Sequence, residues 1–277
     1  MDDLVTTDWL ARNLEEDDLV IVDSSLFMPN SGRDPAAEFA ESHIPGARFL
    51  DIDAVADPAR PGMHMLPSAP DFGAAMTALG VGRDDRIVVY DNSSLRSAAR
   101  GWFMLRHFGA ERVAILDGGF QKWCGEGRAV EAGEAKPRKA RFDAHAQVAD
   151  VVDKAGILGG LGLPLLDARG RARFEGSEPD PRPHVADGHI PGARNLPFAS
   201  LYRDDGTLKS ESELRAAFDA AGVSPEGAFI ASCGSGVTAN SLIFAARRLG
   251  GRQARLYDGS WSEWGADPAT PKEKGPA

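Results

Sequence analysis

A cysteine in a short glycine-containing loop is the residue of this sequence best suited to nucleophilic chemistry. Cys233 is followed by Gly234 and Gly236, between an apolar run and an amphipathic stretch. That order predicts a loop at the carboxyl end of a parallel strand, where open sheets bind ligands. Glycines let several amides converge on one point, and a following helix adds its positive dipole end, so both features favour a thiolate. The alternative is a small buried hydrophobe at a strand end.

An internal repeat organises the chain around this loop. The segment His-Ile-Pro-Gly-Ala-Arg occurs at residues 43–48 and again, unchanged, at residues 189–194. Asp-Gly-Gly-Phe at 117–120 likewise corresponds to Asp-Gly-Ser-Trp at 258–261. A period this long indicates a duplicated domain rather than a solenoid. Aligning the two copies places Asp91 opposite Cys233, so the first copy is predicted to lack a nucleophile.

Short apolar runs alternate with amphipathic stretches in both copies. In the first, residues 86–90 and 113–116 are predicted strands flanking a helix over 97–108; in the second, 228–232 and 254–257 flank a helix over 239–249. This alternation predicts an α/β fold in which each copy is a parallel sheet with helices on both faces.

Composition sets the domain boundaries. The 277 residues suffice for two domains, and residues 125–147 are rich in glycine, alanine and charge. We predict a first domain at 1–135, a linker at 136–150 and a catalytic domain at 151–277. The tail after Trp264 contains three prolines among charges and is expected to be poorly ordered.

Charge and hydropathy limit the partners. The formal net charge is −10, which disfavours nucleic acid and anionic membrane surfaces. The acidic start and the absence of a long apolar run predict a cytoplasmic protein. The 2 cysteines and 6 histidines show no zinc-ligand spacing, and no glycine-rich phosphate loop occurs, so no metal or cofactor is expected.

The duplicated His-Ile-Pro-Gly, the paired Asp-Gly motifs and the loop Cys-Gly-Ser-Gly-Val-Thr together resemble the tandem rhodanese-domain sulfurtransferases. The resemblance covers nearly the whole chain. It implies a sulfur-accepting Cys233 whose loop binds the substrate sulfur. The loop residues concerned are Gly234, Ser235, Gly236, Val237 and Thr238. Relatives that use thiosulfate carry basic side chains where Gly234 and Ser235 stand here, which favours 3-mercaptopyruvate as donor.

The resemblance also matches the family's carboxylate-binding arginines to Arg173 and Arg182. A guanidinium offers paired donors that suit the carboxylate and keto oxygen of an α-keto acid. Arg169 and Arg171 are nearby competitors, and only the position of Phe174 relative to Gly176 selects Arg173 over them. The alternative for both matched arginines is a surface charge.

A Ser-His-Asp relay of Ser235, His64 and Asp53 is a further implication of the resemblance. The histidine would accept a proton from the serine hydroxyl while the aspartate stabilises its charged form. A structural histidine and a helix-capping aspartate are the alternatives. His43 and His189 share one repeat position and are therefore expected to be structural. Cys124 is also expected to be structural.

The resemblance, together with the Cys233 loop and the two arginines, implies transfer of sulfur from 3-mercaptopyruvate through a Cys233 persulfide to cyanide or a thiol, such as that of a thioredoxin-like protein. Two alternatives stay open: thiosulfate as donor, and a noncatalytic sulfur-carrier module. A cysteine phosphatase is excluded because its loop needs an arginine six positions after the cysteine, where Ala239 stands.

Overall fold

The computed structural model describes residues 1–29, 31–134 and 137–276. They form two compact units. The first comprises Met1–Ala56, Leu66–Gln147 and Arg203–Leu208; the second comprises Asp57–Met65, Val148–Tyr202 and Lys209–Ala277. Each unit therefore includes a short segment that sequence position alone would assign to the other copy. The predicted boundary between residues 135 and 136 lies outside the described residues.

The first unit contains a five-stranded parallel sheet in the order β1-β5-β4-β2-β3. Its strands are β1 (Leu4–Val5), β2 (Leu19–Asp23), β3 (Arg48–Phe49), β4 (Arg86–Tyr90) and β5 (Val113–Leu116). Its helices are α1 (Thr7–Asn13), α2 (Pro35–Glu41), α3 (Ile52–Val55), α4 (Ala69–Ala78), α5 (Ala98–His107) and α6 (Gly119–Gly125).

The second unit repeats this topology in the order β6-β10-β9-β7-β8. Its strands are β6 (Val151–Val152), β7 (Leu165–Asp167), β8 (Arg194–Asn195), β9 (Phe229–Ser232) and β10 (Ala254–Tyr257). Its helices are α7 (Lys154–Leu158), α8 (Arg171–Glu175), α9 (Glu211–Ala220), α10 (Ala239–Arg248) and α11 (Ser260–Trp264). Short 3-10 turns lie at Val148–Asp150 and Phe198–Leu201.

The predicted fold class is confirmed. The strands predicted at 86–90 and 113–116 have the predicted bounds. The helix predicted over 97–108 is one residue shorter at each end, and that predicted over 239–249 is one residue shorter at its C-terminal end. Each unit buries its own core, built around Val88 and Trp123 in the first and around Ile230 and Trp261 in the second. Continuous apolar strands are what a sheet covered on both faces requires.

The two histidines of the repeated motif have the same structural role. His43 Nδ1 lies 2.7 Å from the Phe39 carbonyl oxygen, and its ring stacks on Phe39. His189 makes the same contacts with Phe174, at 2.9 Å. Each also forms a bridge to a distant strand-like segment, His43 to Glu131 and His189 to Glu273. These contacts agree with the structural interpretation.

The expectation of a poorly ordered tail is wrong up to residue 276. Besides the Glu273 bridge, the Trp264 indole donates to the Pro271 carbonyl at 2.7 Å, and Thr270 is buried. The prolines end regular structure there but leave carbonyls free to accept hydrogen bonds. Within the described residues, none of the helices has the length and apolar character that crossing a bilayer requires.

Candidate active site

Cys233 lies directly after β9, between β10 and β7 in the sheet of the second unit. The residue is 1% exposed. Its backbone N–H donates to the Ser260 hydroxyl oxygen at 3.1 Å, and that hydroxyl lies 3.9 Å from Sγ. The neighbouring Gly234 and Ser235 are half-buried. Cys233 is therefore buried against Ser260, while the two loop residues that follow it are partly exposed.

The loop around Cys233 is fastened to the turn that precedes α11. The backbone N–H of Trp261 donates to the Cys233 carbonyl at 3.0 Å, and that of Ser262 donates to the Gly234 carbonyl at 2.8 Å. Gly236 has φ +74°, and a Cβ there would lie 2.5 Å from the Asp258 carbonyl oxygen. Only glycine fits both constraints. The glycine of the motif thus allows a close approach between two backbone segments.

The start of α10 faces this loop without a side-chain cap. Thr238 occupies the N-cap position but makes no side-chain capping hydrogen bond, and both Val237 and Thr238 are buried. The Asn240 amide donates to the Gly236 and Val237 carbonyls at 2.7 and 2.9 Å, which fixes the loop on the helix. The Cys233 loop and the first turn of α10 are therefore joined by side-chain hydrogen bonds.

In the first unit, Asp91 occupies the position equivalent to Cys233. Its carboxylate accepts hydrogen bonds from the Ser93 N–H at 2.9 Å and the Ala98 N–H at 2.6 Å. Burial raises the pKa of Asp91, and these two backbone hydrogen bonds oppose the rise. The first copy therefore uses its loop and helix amides to bind its own side chain. It offers no nucleophile at this position.

Both matched arginines lie beside Gly234. Arg182 Nη1 donates to the Gly234 carbonyl at 2.8 Å. A Cβ built on Gly234 would lie 3.5 Å from Arg173 Nη2 and 3.8 Å from Arg182 Nη2. The structure therefore brings Arg173 and Arg182 together with the residue next to Cys233. Their binding of a substrate carboxylate remains a prediction.

The competing arginines point elsewhere. Arg169 is buried and forms a double hydrogen bond with Asp167, with Nε and Nη2 at 3.0 and 2.6 Å from its carboxylate oxygens. Arg171 is exposed and lies 3.5 Å from Glu175 on its own helix. Neither is therefore placed with Arg173 at Gly234.

The three relay residues belong to different units. His64 and Ser235 lie in the second unit and Asp53 in the first. His64 has φ +55°, an unusual conformation for a side chain larger than glycine. Asp53 is exposed in the first turn of α3, and Asp51 provides the N-cap by accepting hydrogen bonds from the Asp53 and Ala54 N–H groups. The helix-capping alternative for Asp53 is therefore wrong, and the relay itself stays a prediction.

The segment Asp57–Met65 contributes side chains to the second unit. Arg60 Nη1 lies 3.4 Å from the carboxylate of buried Asp258, and the Met63 N–H donates to the Ser262 hydroxyl at 3.3 Å. The Met63 sulfur is 4.0 Å from Arg182 Nη1. The residues that support the Cys233 loop and Arg182 thus include two, Arg60 and Met63, that precede the second copy in sequence.

Sequence reasoning missed two residues of this site. Ser260 contacts both the N–H and the sulfur of Cys233, at φ +49°. The repeat alignment could have indicated Ser260, because it places a glycine, Gly119, at the equivalent position of the first copy. Both residues have positive φ, +59° at Gly119. Asp180 hydrogen-bonds both Arg173 and Arg182. The sequence feature that could have indicated Asp180 is an aspartate two residues before Arg182 in a short proline-rich stretch.

The chain is similar to known proteins over nearly its whole length. The family model of the rhodanese-like domain matches residues 6–126 and 146–267. The 3-mercaptopyruvate sulfurtransferase of Escherichia coli is 41% identical over 273 residues, 97% of both chains. The human 3-mercaptopyruvate sulfurtransferase is 38% identical over 270 residues, 94% of this chain and 91% of its own. The bovine thiosulfate sulfurtransferase is 38% identical over 271 residues, with the same coverage.

Solved structures give the same result. The crystal structure of the Escherichia coli 3-mercaptopyruvate sulfotransferase SseA superposes with a TM-score of 0.86 at 39% identity, covering 95% of this chain and 100% of the other. The Tum1 protein of Saccharomyces cerevisiae gives a TM-score of 0.88 at 28% identity, covering 98% of each chain.

Proposed function

The chain belongs to the rhodanese family, and we propose that it is a 3-mercaptopyruvate sulfurtransferase that carries sulfur on Cys233. The observation that supports this most directly is the convergence of Arg173 and Arg182 on Gly234, the residue that follows the cysteine. A cysteine nucleophile beside two guanidinium groups suits a small donor that presents both a sulfur and a carboxylate.

The proposed first half-reaction forms a persulfide. The Cys233 thiolate attacks the sulfur of 3-mercaptopyruvate, and the carbon–sulfur bond breaks with its electron pair moving to carbon. The leaving group is the enolate of pyruvate, which takes a proton and departs as pyruvate. Arg173 and Arg182 hold the carboxylate and keto oxygen and stabilise the enolate charge as it develops. Ser235, His64 and Asp53 would relay the proton.

The second half-reaction returns the cysteine to its starting state. A thiolate acceptor, from a small molecule or from a thioredoxin-like protein, attacks the outer sulfur of the persulfide, and the Cys233 thiolate leaves. Cyanide accepts the sulfur in the same way and forms thiocyanate. No metal or cofactor enters either step. The net charge of −10 makes nucleic acid and anionic membranes poor partners.

The test is a comparison of Cys233→Ser with Cys124→Ser. Cys124 is the other cysteine, exposed on α6, and the two cysteines are unpaired. Cys233→Ser is expected to abolish pyruvate release from 3-mercaptopyruvate and a mass gain of about 32 Da on the protein, because the sulfur has no acceptor atom. Cys124→Ser is expected to retain both. Full sulfur transfer by Cys233→Ser would refute the mechanism.

Arg173→Ala and Arg182→Ala test the donor site separately. Each is expected mainly to raise KM for 3-mercaptopyruvate, since it removes part of the carboxylate contact.

The bovine relative is named a thiosulfate sulfurtransferase, which favours thiosulfate as a second candidate donor. Parallel assays with 3-mercaptopyruvate and thiosulfate decide between the two donors. If the protein gains sulfur from a donor but does not pass it to a thiol or cyanide, it is a sulfur carrier rather than an enzyme.

A further inference from the structure

The two arginines beside Cys233 share one buried carboxylate. Asp180 lies on the segment between α8 and β8, and its side chain is 2% exposed. Oδ2 lies 3.1 Å from Arg173 Nη2 and 2.8 Å from Arg182 Nη2, and Oδ1 lies 2.7 Å from Arg182 Nε. The Arg182 backbone N–H also donates to Oδ1, at 3.1 Å. Both oxygens are thus fully used by the two arginines.

Asp180 is itself held in place. Its backbone N–H donates to an Asp187 carboxylate oxygen at 3.0 Å, and Asp187 lies 3.5 Å from Lys274. The end of the same segment is fixed by the Trp261 indole, which donates to the Ala186 carbonyl at 2.8 Å. A carboxylate fixed in this way sets the planes of both guanidinium groups.

The carboxylate is charged at neutral pH. Burial acts to raise the pKa of Asp180, but the hydrogen bonds and charges of Arg182 and Arg173 outweigh it, so the pKa lies below its ordinary value. Two guanidinium charges and one carboxylate leave a charge of +1 at this site. The two arginines that precede Arg173 in sequence add no charge, because Arg169 is paired with Asp167 and Arg171 with Glu175.

One donor remains available in this arrangement. Among the described residues, the buried Nε of Arg173 has no hydrogen-bond partner. A buried donor without a partner is costly, and an acceptor oxygen of a bound anion would remove that cost. The site therefore combines a charge of +1 with an unused hydrogen-bond donor.

We propose that Asp180 is a specificity-determining residue that limits this anion site to one positive charge, so that it prefers a monoanionic α-keto carboxylate to a dianion such as thiosulfate. Selectivity is a difference between two affinities, and a fixed negative charge repels a dianion about twice as strongly as a monoanion at the same place. The inference rests on the proposed function, since it assigns the donor's carboxylate to Arg173 and Arg182. Asp180 acts through those arginines.

The experiment measures binding without turnover. In a Cys233→Ser background, dissociation constants for pyruvate and for thiosulfate are measured by calorimetry, with Asp180 unchanged, Asp180→Asn and Asp180→Glu. Glu226→Gln is the matched control, because it also removes a carboxylate from an arginine pair of the second unit, with exposed Arg215. Asp180→Asn is expected to shift the ratio of the two constants toward thiosulfate by roughly tenfold. Asp180→Glu and Glu226→Gln are expected to leave the ratio unchanged.

A purely structural role would give a different result. If Asp180→Asn weakens both anions in equal proportion, or leaves the ratio within about twofold, the proposal is wrong. If Asp180→Asn does not fold, Arg173→Gln replaces it: this variant removes a positive charge and is expected to shift the ratio away from thiosulfate. An unchanged ratio there also overturns the proposal.

Failure of the proposed function is a separate outcome. It would appear as absence of pyruvate release by the unmodified protein with 3-mercaptopyruvate. Where the unmodified protein does turn over, the same shift is expected in the ratio of kcat/KM for the two donors when Asp180→Asn is made with Cys233 intact.

Discussion

Replacing Asp23 with asparagine is expected to stabilise the first unit at neutral pH. Asp23 ends β2 and is 4% exposed. Burial raises its pKa to about 6, although hydrogen bonds from Ser25 and Tyr90 oppose the rise; the nearby charge of Asp91 adds to it. Two residues after Asp23 the first copy has Ser25, whereas the second copy has Arg169 two residues after the equivalent aspartate. The charged form of Asp23 is therefore poorly compensated.

The magnitude follows from the pKa. A rise from 3.8 to about 6, at about 1.36 kcal/mol per pKa unit, corresponds to about 3 kcal/mol. Because the pKa of Asp23 is raised in the folded state, the protonated carboxyl contributes this amount to the free energy of unfolding below the unfolded-state pKa. The contribution is lost as pH rises through about 6. At pH 7.5 the full 3 kcal/mol or so is lost, and at pH 5 about half of it.

The asparagine variant removes this pH dependence. Its amide oxygen can still accept the Ser25 N–H, which lies 2.8 Å from the carboxylate in the native protein. We therefore expect Asp23→Asn to raise the free energy of unfolding by about 1–3 kcal/mol at pH 7.5, and by roughly 1.4 kcal/mol less at pH 5. Urea unfolding followed by tryptophan fluorescence at the two pH values measures both quantities.

The equivalent substitution in the second copy is the matched control. Asp167 ends β7 as Asp23 ends β2, but the buried guanidinium of Arg169 pairs with the Asp167 carboxylate at 2.6 Å. Asp167→Asn leaves a buried guanidinium without its charge partner, so it is expected to destabilise the protein by about 3–5 kcal/mol. If Asp23→Asn is also destabilising at pH 7.5, or if its effect does not change with pH, the reasoning about the uncompensated carboxylate is wrong.

Gly236→Ala would place a Cβ 2.5 Å from the Asp258 carbonyl oxygen. We expect the free energy of unfolding measured in urea to fall by about 1–3 kcal/mol, and an unchanged value would contradict the close approach. Ser260→Gly removes the hydroxyl that accepts the Cys233 N–H, and it also relieves the strain of φ +49°. Because the two effects have opposite signs, the free energy of unfolding in urea is expected to change by less than about 1 kcal/mol, and a loss above about 2 kcal/mol would contradict this. Trp261→Phe removes the hydrogen bond from the indole to the Ala186 carbonyl, in the segment before β8. Loss of this bond is expected to speed amide hydrogen exchange over residues 176–188, and exchange at the native rate would refute this.

Much of the fold was predictable because the signals are local. Strands such as Arg86–Tyr90 are continuous apolar runs, and the repeated His-Ile-Pro-Gly segment marks the same turn in both copies. Local hydrophobic patterns and turn residues determine such elements regardless of what packs on them. The tail was mispredicted for the converse reason: its order depends on partners such as His189, which lies more than eighty residues away in sequence.

The sequence by itself determined that Cys233 follows a strand, that a glycine loop surrounds it, and that the first copy has Asp91 instead. These facts are properties of neighbouring residues and of the repeat. The resemblance to a known family selected Arg173 and Arg182, and only the tertiary structure decided that Asp180 pairs with both and that Ser260 contacts the sulfur. Ser260 and Cys233 are 27 positions apart. Asp180 is near both arginines in sequence, but the loop conformation that turns the three side chains toward one another is fixed by packing that no local pattern encodes.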